Sequence, residues 1–288
     1  MIKKLTICGA GTMGHGIAQV SAQNGYTVAL YDLSDEQLLH AKNKVTANLD
    51  KGIARGKLSP ETKARCLANL SFHTDLEEAC QACDLFIEAV PENLALKHRI
   101  FKRADACTGE HTILGSNTSS ISIAKIAQVV KDPTKVIGTH FFNPVHIMKL
   151  LEIVVHPGTA SPVLAAVQQY ALQIQKESIL VKDSPGFATS RLGVALGMEA
   201  IRMFEEGVAS AADIDKAMVL GYKHPIGPLK LTDLVGLDIR LAIGEYLYTE
   251  LGNPAFDPPA IMREMVKEGK LGKKTGQGFY SWEGGDKT

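Results

Sequence analysis

The sequence predicts an α/β protein in which a domain built on a mostly parallel sheet precedes an all-α domain. Over residues 1–155, short apolar runs alternate with amphipathic stretches, which is typical of strand–helix–strand units around a parallel sheet. After residue 184, apolar residues recur at helical spacing and no series of strands follows. A chain of 288 residues is long enough for two ordinary domains. We therefore predict domains at residues 1–184 and 185–288.

The first domain begins with a predicted strand at residues 5–8, a helix at 14–24 and a second strand at 27–31. Residues 34–70 are too long for one ordinary helix and contain Gly52, Gly56 and Pro60, so we expect a helical pair that projects beyond the sheet. Further short apolar runs predict five more strands, at residues 70–73, 85–90, 112–115, 136–139 and 150–155. The last of these is expected to close the series.

The second domain is predicted to contain helices only. Apolar residues at helical spacing, separated by Gly and Pro breaks, predict helices at residues 187–207, 211–220, 230–251 and 259–268.

Composition excludes several functional classes. Lysine plus arginine and aspartate plus glutamate number 31 each, so the chain lacks the basic excess of a nucleic-acid binder. No apolar run approaches the ~18 residues of a membrane helix. Five cysteines, an odd number, suit a reducing compartment, and we expect a cytoplasmic protein. Cys80 and Cys83 form a lone C-x-x-C without a second ligand pair, so no metal site is predicted.

The run ICGAGTMGHG joins the first predicted strand to the first helix and contains the spacing G-x-G-x-x-G. In a dinucleotide-binding turn, the first glycine permits the tight turn, the second admits a pyrophosphate, and the third lets helix and strand pack closely. Asp32 ends the next strand, where a carboxylate binds the ribose hydroxyls and repels the phosphate of NADP. We therefore predict a Rossmann-type domain that binds NAD. The loop's predicted cofactor contacts are Gly9, Ala10, Gly11, Thr12, Met13 and Gly14.

Polar residues also follow later strands of the predicted sheet. Because ligands bind beyond the carboxyl ends of parallel strands, we expect these residues to line one cleft. They are Pro91-Glu92-Asn93, the run Ser116-Asn117-Thr118-Ser119-Ser120, and His140.

His140 and Glu152 are the candidate acid–base pair. Glu152 lies inside an apolar strand, where a carboxylate is costly unless it is paired or faces solvent. His140 is a natural partner, because a carboxylate behind an imidazole fixes its tautomer. NAD chemistry on a hydroxyl needs one base for the O–H proton while hydride leaves the same carbon, and these residues would supply it.

Motifs spread over essentially the whole chain resemble those of the 3-hydroxyacyl-CoA dehydrogenase family. They are GAGTMG, SNTSS, HFFNP followed by MKLLEIV, SPGF, DIDKAM with HPIGP, and GKKTGQGFY. The length is similar to that of the monofunctional 3-hydroxybutyryl-CoA dehydrogenases. The resemblance implies an NAD-dependent enzyme of fatty acid metabolism that interconverts a short-chain (3S)-3-hydroxyacyl-CoA and a 3-oxoacyl-CoA. It also implies a homodimer formed through the helical domain.

The resemblance further implies individual roles. His140 would be the base, Glu152 would orient and polarise it, and Ser119 would hydrogen-bond the substrate oxygen and line the cofactor site. Residues expected to contact the cofactor or line the cleft are Glu92, Lys97, Asn117, Asn143 and Lys274. Asn48 and Arg55, in the long crossover, sit where relatives contact the CoA moiety. Because the chain has no net charge that would attract the phosphates of CoA, Arg55 and Lys57 are the candidates to bind them.

Ser190 departs from the family pattern. After SPGF the family usually has an asparagine of the active site three residues on, whereas this chain has Ser190. A serine offers one hydroxyl on a shorter arm, where an amide offers two donors and an acceptor. A water or a neighbour such as Asn143 could replace the amide, or turnover falls; we predict an active enzyme that is weaker than relatives with asparagine.

Two alternatives stay open at this point. A dehydrogenase of a free 3-hydroxy acid or sugar acid could use the same fold, and would not need the nucleotide handle near Asn48 and Arg55. A non-catalytic NAD-binding protein is a second alternative, which His140 and Glu152 argue against and Ser190 alone supports.

Overall fold

The computed structural model describes residues 2–282, which form two compact units divided between Ser184 and Pro185. Each unit has its own apolar core. Leu5, Ile17 and Val28 are fully buried in the core of the first unit. Ile201, Leu229 and Met262 are fully buried in the core of the second. Among the described residues, no helix is both long and apolar enough to cross a membrane.

Eight strands of the first unit form one sheet in the order β3-β2-β1-β4-β5-β6-β7-β8. They are β1 (Lys4–Cys8), β2 (Thr27–Tyr31), β3 (Leu70–His73), β4 (Leu85–Glu88), β5 (Ile113–Ser116), β6 (Val136–Phe141), β7 (Leu150–Val155) and β8 (Glu177–Lys182). Every neighbouring pair is parallel except β6 and β7. The mostly parallel sheet predicted from the sequence is therefore confirmed.

Seven α-helices connect these strands: α1 (Thr12–Gln23), α2 (Asp35–Ala54), α3 (Pro60–Ala68), α4 (Leu76–Ala79), α5 (Leu94–Cys107), α6 (Ile123–Ala127) and α7 (Ser161–Gln173). The crossover is the expected helical pair, α2 and α3. Gly52 does not break α2, contrary to expectation. A Cβ at this position would lie 2.5 Å from Cδ1 of Leu58, so Gly52 allows close packing instead.

The sequence missed β8. This strand is a mostly exposed edge and pairs with β7 alone. Its apolar run is short and lies between Glu177 and Lys182, and therefore lacks the long apolar pattern of the buried strands. A second difference concerns β6, which continues to Phe141, so that His140 lies within the strand rather than after it.

The described residues of the second unit contain five α-helices and no strand: α8 (Thr189–Glu205), α9 (Ala211–Lys216), α10 (Pro228–Val235), α11 (Leu237–Leu251) and α12 (Ala260–Lys267). The single helix predicted over residues 230–251 was wrong, because Gly236 separates α10 from α11. Its φ of 104° is one that L side chains rarely adopt and that is incompatible with a continuous helix.

Candidate active site

The glycine-rich turn between β1 and α1 is built by close backbone contacts. Gly9 has a φ of 104°, and a Cβ there would lie 2.8 Å from the carbonyl oxygen of Ala89. A Cβ at Gly14 would lie only 1.7 Å from the carbonyl oxygen of Gly9. At Gly11, by contrast, a Cβ would meet no described atom within 4 Å. The outer two glycines are thus required by the fold itself, whereas the middle one borders open space.

The start of α1 can receive an anion. Gly11 is the N-cap residue and provides no side-chain cap for the first-turn amides, which begin at Thr12 and Met13. Unpaired amides and the helix dipole together favour negative charge at such a position. Asp32 lies beside this turn, where its Oδ2 accepts a hydrogen bond of 2.8 Å from the backbone N–H of Ala10. The loop and the carboxylate therefore have the arrangement that a dinucleotide requires.

A buried ion pair lies below the ends of β4 and β5. Lys97 is 1% exposed and its Nζ lies 2.7 Å from Oε1 of the fully buried Glu88. Ser116 donates to Glu88 Oε2 at 2.6 Å. Lys97 Nζ also lies 3.2 Å from Oε2 of Glu92. The Lys97 ammonium is thus held between two carboxylates, and its predicted cofactor contact stays a prediction.

Glu92 fixes the loop after β5. Its Oε1 accepts hydrogen bonds from Thr118 Oγ1 at 2.5 Å, from the Ser119 N–H at 3.0 Å and from the Ser120 N–H at 3.2 Å. Burial acts to raise the pKa of Glu92, but the charge of Lys97 and these hydrogen bonds outweigh it and lower the pKa below its usual value. Glu92 thus links the buried ion pair to the loop that carries Ser119.

Asn117 joins the ends of two neighbouring strands. Its Oδ1 accepts a hydrogen bond of 2.9 Å from the backbone N–H of Phe141, the residue after His140. Asn143 follows in the exposed segment between β6 and β7. Asn93, which we expected to line the cleft, caps α5 by accepting a hydrogen bond from the Leu96 N–H at 2.9 Å.

His140 and Glu152 form a direct pair. They face each other in the antiparallel register of β6 and β7, and Nδ1 of His140 lies 2.7 Å from Oε2 of Glu152. Glu152 is fully buried, and His140 is 7% exposed with its ring centroid 4.4 Å from that of Phe142. Glu152 thus has the partner, His140, that we expected for a carboxylate inside this apolar strand. The pairing sets the tautomer and orientation of the imidazole.

A cavity of about 520 Å³ lies between α1, α2 and the segment after β6. We call it the α1–α2 cavity. It contains Asn48, Arg55 and Lys57, the three residues expected near CoA. Its other lining residues are Gln19, Gln23, Lys51, Gly52, Leu58, Pro144, His146 and Ile147. None of the lining residues within the described part of the chain is acidic. Sequence reasoning missed Lys51 and His146, although the helical spacing of Lys51 from Asn48 and Arg55 places all three on one face of α2.

Two predicted site residues lie in the second unit. Ser190 is half-buried in the first turn of α8. Lys274 Nζ lies 2.6 Å from each carboxylate oxygen of Asp238. Their roles stay predictions.

No cluster of three or more metal-ligating residues occurs among residues 2–282. Burial raises the pKa of Cys83 to about 11, so this thiol of the C-x-x-C sequence is protonated at neutral pH.

Comparison with known proteins gives a consistent result for both units. Residues 4–184 match the model of the 3-hydroxyacyl-CoA dehydrogenase NAD binding domain, and residues 186–282 match that of the 3-hydroxyacyl-CoA dehydrogenase C-terminal domain.

Among curated proteins, the chain is 42% identical over 283 residues to a probable 3-hydroxybutyryl-CoA dehydrogenase of Bacillus subtilis, covering 98% of each chain. It is 39% identical over 290 residues to the mitochondrial hydroxyacyl-coenzyme A dehydrogenase of Homo sapiens, covering 98% of this chain and 92% of that protein. Among solved structures, the (S)-3-hydroxybutyryl-CoA dehydrogenase of Ralstonia eutropha superimposes with a TM-score of 0.94 at 44% identity, covering 98% of this chain and 99% of that chain.

Proposed function

The chain belongs to the 3-hydroxyacyl-CoA dehydrogenase family, and on that premise we propose that it interconverts (S)-3-hydroxybutyryl-CoA and acetoacetyl-CoA with NAD. It is an NAD-dependent oxidoreductase. The observation that carries the proposed site chemistry is the His140–Glu152 pair, a buried imidazole held at Nδ1 by a carboxylate 2.7 Å away.

The glycine-rich turn fits NAD. The open space at Gly11 and the uncapped start of α1 suit the pyrophosphate, and Asp32 suits the adenosine ribose. When bound, NAD accepts or supplies the hydride at C3 of the substrate. The remaining predicted contacts, Glu92, Asn117, Ser119 and Asn143, lie at or just beyond the carboxyl ends of β4, β5 and β6, where ligands of parallel sheets bind.

His140 moves the proton. In the oxidative direction, its Nε2 takes the proton of the substrate hydroxyl while hydride leaves C3. In the reductive direction, the same atom returns a proton to the carbonyl oxygen. Glu152 holds Nδ1–H and stabilises the imidazolium that forms, since its carboxylate is buried beside the ring.

Ser119 orients the substrate oxygen. Its backbone is fixed by the Glu92 carboxylate at 3.0 Å, so that the hydroxyl rests on a preorganised loop. The hydroxyl itself lies 3.4 Å from Oε1 of Glu92 and would turn from this carboxylate to the substrate oxygen when the substrate binds.

The α1–α2 cavity is the proposed site for the CoA handle. Arg55 is joined there by Lys51 and Lys57, and none of these three cations forms an ion pair with another described residue. A free 3-hydroxy acid carries one carboxylate and no phosphate groups to pair with these three cations. The CoA thioester is therefore favoured over the free-acid alternative.

The second unit is the proposed dimer interface. Several large apolar side chains of this unit are exposed, and a partner that covered them would remove apolar surface from water. They are Leu192, Leu220, Tyr222, Leu234, Val235, Ile239 and Tyr248. A symmetric homodimer would bury this surface. All five cysteines are free, which supports a reducing, cytoplasmic location.

The decisive experiment is NADH oxidation, followed by the loss of NADH absorbance, with acetoacetyl-CoA, longer 3-oxoacyl-CoA substrates and free acetoacetate. We expect activity with the CoA thioester, a preference for NADH over NADPH, and a loss of about 10²–10⁴-fold in kcat for His140→Ala. Equal activity with free acetoacetate would support the free-acid alternative. NADH binding without any oxidation would support a non-catalytic protein.

A further inference from the structure

His146 is the titratable residue of the α1–α2 cavity that the proposed function does not use. It lies in the exposed segment between β6 and β7, six residues after His140, and lines the same cavity as Lys51, Arg55 and Lys57. These three residues are lysines and an arginine, whereas an imidazole is the side chain that changes its charge between about pH 5 and 8. The charge of the cavity therefore depends on His146.

Basic residues of three segments lie near His146. His15 on α1, Lys51 on α2 and Lys176 before β8 are its charged or titratable neighbours, besides the two other cations that line the cavity. Asp50, the acidic residue next to Lys51 on α2, is paired with Lys63 on α3 at 2.5 Å. Partial burial of the ring, followed by the positive charge of these neighbours, lowers the pKa of His146 below its ordinary value of 6.5. In the free protein at neutral pH, His146 is thus mostly uncharged.

The segment that carries His146 is also held in place. Lys176 is 9% exposed, and its Nζ donates hydrogen bonds to the carbonyl oxygens of Val145 at 2.5 Å and Met148 at 2.6 Å. These two residues flank His146. The imidazole therefore cannot escape the positive field by a simple movement of the whole segment away from Lys176.

An anion in the cavity would reverse this balance. Phosphate groups placed between the cations neutralise the field that keeps the imidazole uncharged, and add acceptors for its N–H groups. Resting on the proposed function, we infer that His146 takes up a proton when the phosphate-bearing part of CoA binds in the α1–α2 cavity. The preference for CoA thioesters over thioesters without phosphate therefore increases as pH falls.

The direction of the effect follows from proton linkage. A group whose pKa is higher in the complex than in the free protein increases affinity as pH falls. The increase begins as pH falls through the pKa in the complex and stops below the pKa in the free protein. Free His146 titrates below pH 6.5. The gain should therefore develop as pH is lowered from about 8 towards 6, the range in which histidine titrates.

The test compares the wild-type protein with His146→Gln, which keeps a polar side chain but cannot titrate. The specificity ratio is kcat/KM for acetoacetyl-CoA divided by kcat/KM for the acetoacetyl thioester of pantetheine, which has no phosphate. We expect the wild-type ratio to rise by about two- to fivefold between pH 8 and pH 6, in line with a partly exposed charge contact. In His146→Gln the ratio should rise distinctly less. His111→Gln, an exposed histidine outside the cavity, is the matched control and should follow the wild type.

Calorimetry supplies a direct measurement. Free CoA is titrated at pH 6.5 into the wild-type protein and His146→Gln, in buffers of different ionisation enthalpy, to count the protons taken up on binding. Titration of the 3′-phosphate of CoA, whose pKa is near 6, and of His15 contributes to both proteins, so the difference between them isolates His146. Greater proton uptake by the wild type is expected.

Equal proton uptake, together with parallel specificity ratios, would overturn the inference while leaving the proposed function intact. Absence of both CoA binding and acetoacetyl-CoA reduction would instead overturn the proposed function as well.

Discussion

Glu152 lies directly opposite His140 across the antiparallel pair of β6 and β7, with its Oε2 2.7 Å from Nδ1 of the imidazole. The contact depends on the one antiparallel pairing of the sheet. Because β7 runs back along β6, a residue 12 positions later in the chain returns to the same level of the sheet. A buried carboxylate is thereby placed against an imidazole without any long connection.

Glu152→Gln should lower kcat without weakening NADH binding. The amide retains the shape of the carboxylate but neither its charge nor its fixed preference for an N–H donor, so the His140 tautomer and the imidazolium lose their support. We expect kcat for acetoacetyl-CoA reduction to fall by about 10²-fold. NADH fluorescence titration and thermal unfolding separate this effect from loss of folding. Glu110→Gln, an exposed substitution of the same kind, is the control. A kcat within twofold of the wild type would show that Glu152 does not support the base.

Sequence reasoning predicted this pair from the cost of burying Glu152, and it predicted the parallel strands from their apolar runs. It could not give the direction of β7, because an apolar strand after a short connection does not reveal which strand it pairs with or in which direction it runs. It missed β8 because an exposed edge strand lacks a long apolar run. It missed the cavity role of His146 because residues after β6 and residues of α2 meet only through tertiary structure.

Gly11→Ala and Gly14→Ala should have different effects, because only one of the two positions is filled by the protein. A Cβ at Gly11 meets no described atom within 4 Å, so the fold should tolerate it, whereas it would occupy the space proposed for the pyrophosphate. We expect NADH affinity to fall at least about tenfold with Tm changed by only a few degrees. A Cβ at Gly14 would lie 1.7 Å from the Gly9 carbonyl oxygen, so Gly14→Ala should lower both Tm and NADH affinity. Fluorescence titration and thermal unfolding measure the two effects. Unchanged NADH affinity in Gly11→Ala would contradict the proposed phosphate position.

Asp32→Asn should relax the preference for NADH over NADPH. The amide oxygen can still accept the hydrogen bond from the Ala10 N–H, which is 2.8 Å long in the wild type, so the glycine-rich loop keeps this contact. The negative charge that repels the extra phosphate of NADPH is removed. We expect the ratio of kcat/KM for NADH to that for NADPH to fall by about tenfold or more, since charge-assisted contacts are the strong ones. Asp35→Asn, in the exposed first turn of α2, should leave the ratio as it is. An unchanged ratio in Asp32→Asn would assign the preference to another residue.

Lys97→Met should destabilise the first unit, and a second substitution should restore part of the loss. Removal of the ammonium leaves the fully buried Glu88 without a counter-charge, which costs about 3–5 kcal/mol in comparable buried pairs. Glu88→Gln added to Lys97→Met removes the uncompensated charge, so the double variant should be more stable than Lys97→Met alone. Chemical denaturation of the wild type, both single variants and the double variant measures the coupling. Additive losses would mean that the two side chains do not stabilise each other.

The same four proteins report on catalysis. Lys97 also lies 3.2 Å from Glu92, whose carboxylate orders the loop of Ser119. Lys97→Met should therefore raise KM for acetoacetyl-CoA even at temperatures where the protein remains folded. A normal KM in the folded variant would indicate that Glu92 orders the loop without Lys97.

Ser190→Asn should increase turnover. Ser190 replaces an asparagine that is usual in the family, and a preorganised polar contact of an active site contributes about 10²–10³ in rate. Its position in the first turn of α8 tolerates a short amide, because asparagine is readily accommodated near helix N-termini. We expect kcat for acetoacetyl-CoA to rise by about tenfold or more, and Ser190→Ala to lower it below the wild type because the remaining hydroxyl is lost. Steady-state kinetics at saturating NADH measure both variants, with thermal unfolding as the check on folding. If Ser190→Asn leaves kcat unchanged or lowers it, the missing amide does not limit this enzyme, and the serine hydroxyl or a neighbouring group already meets the need.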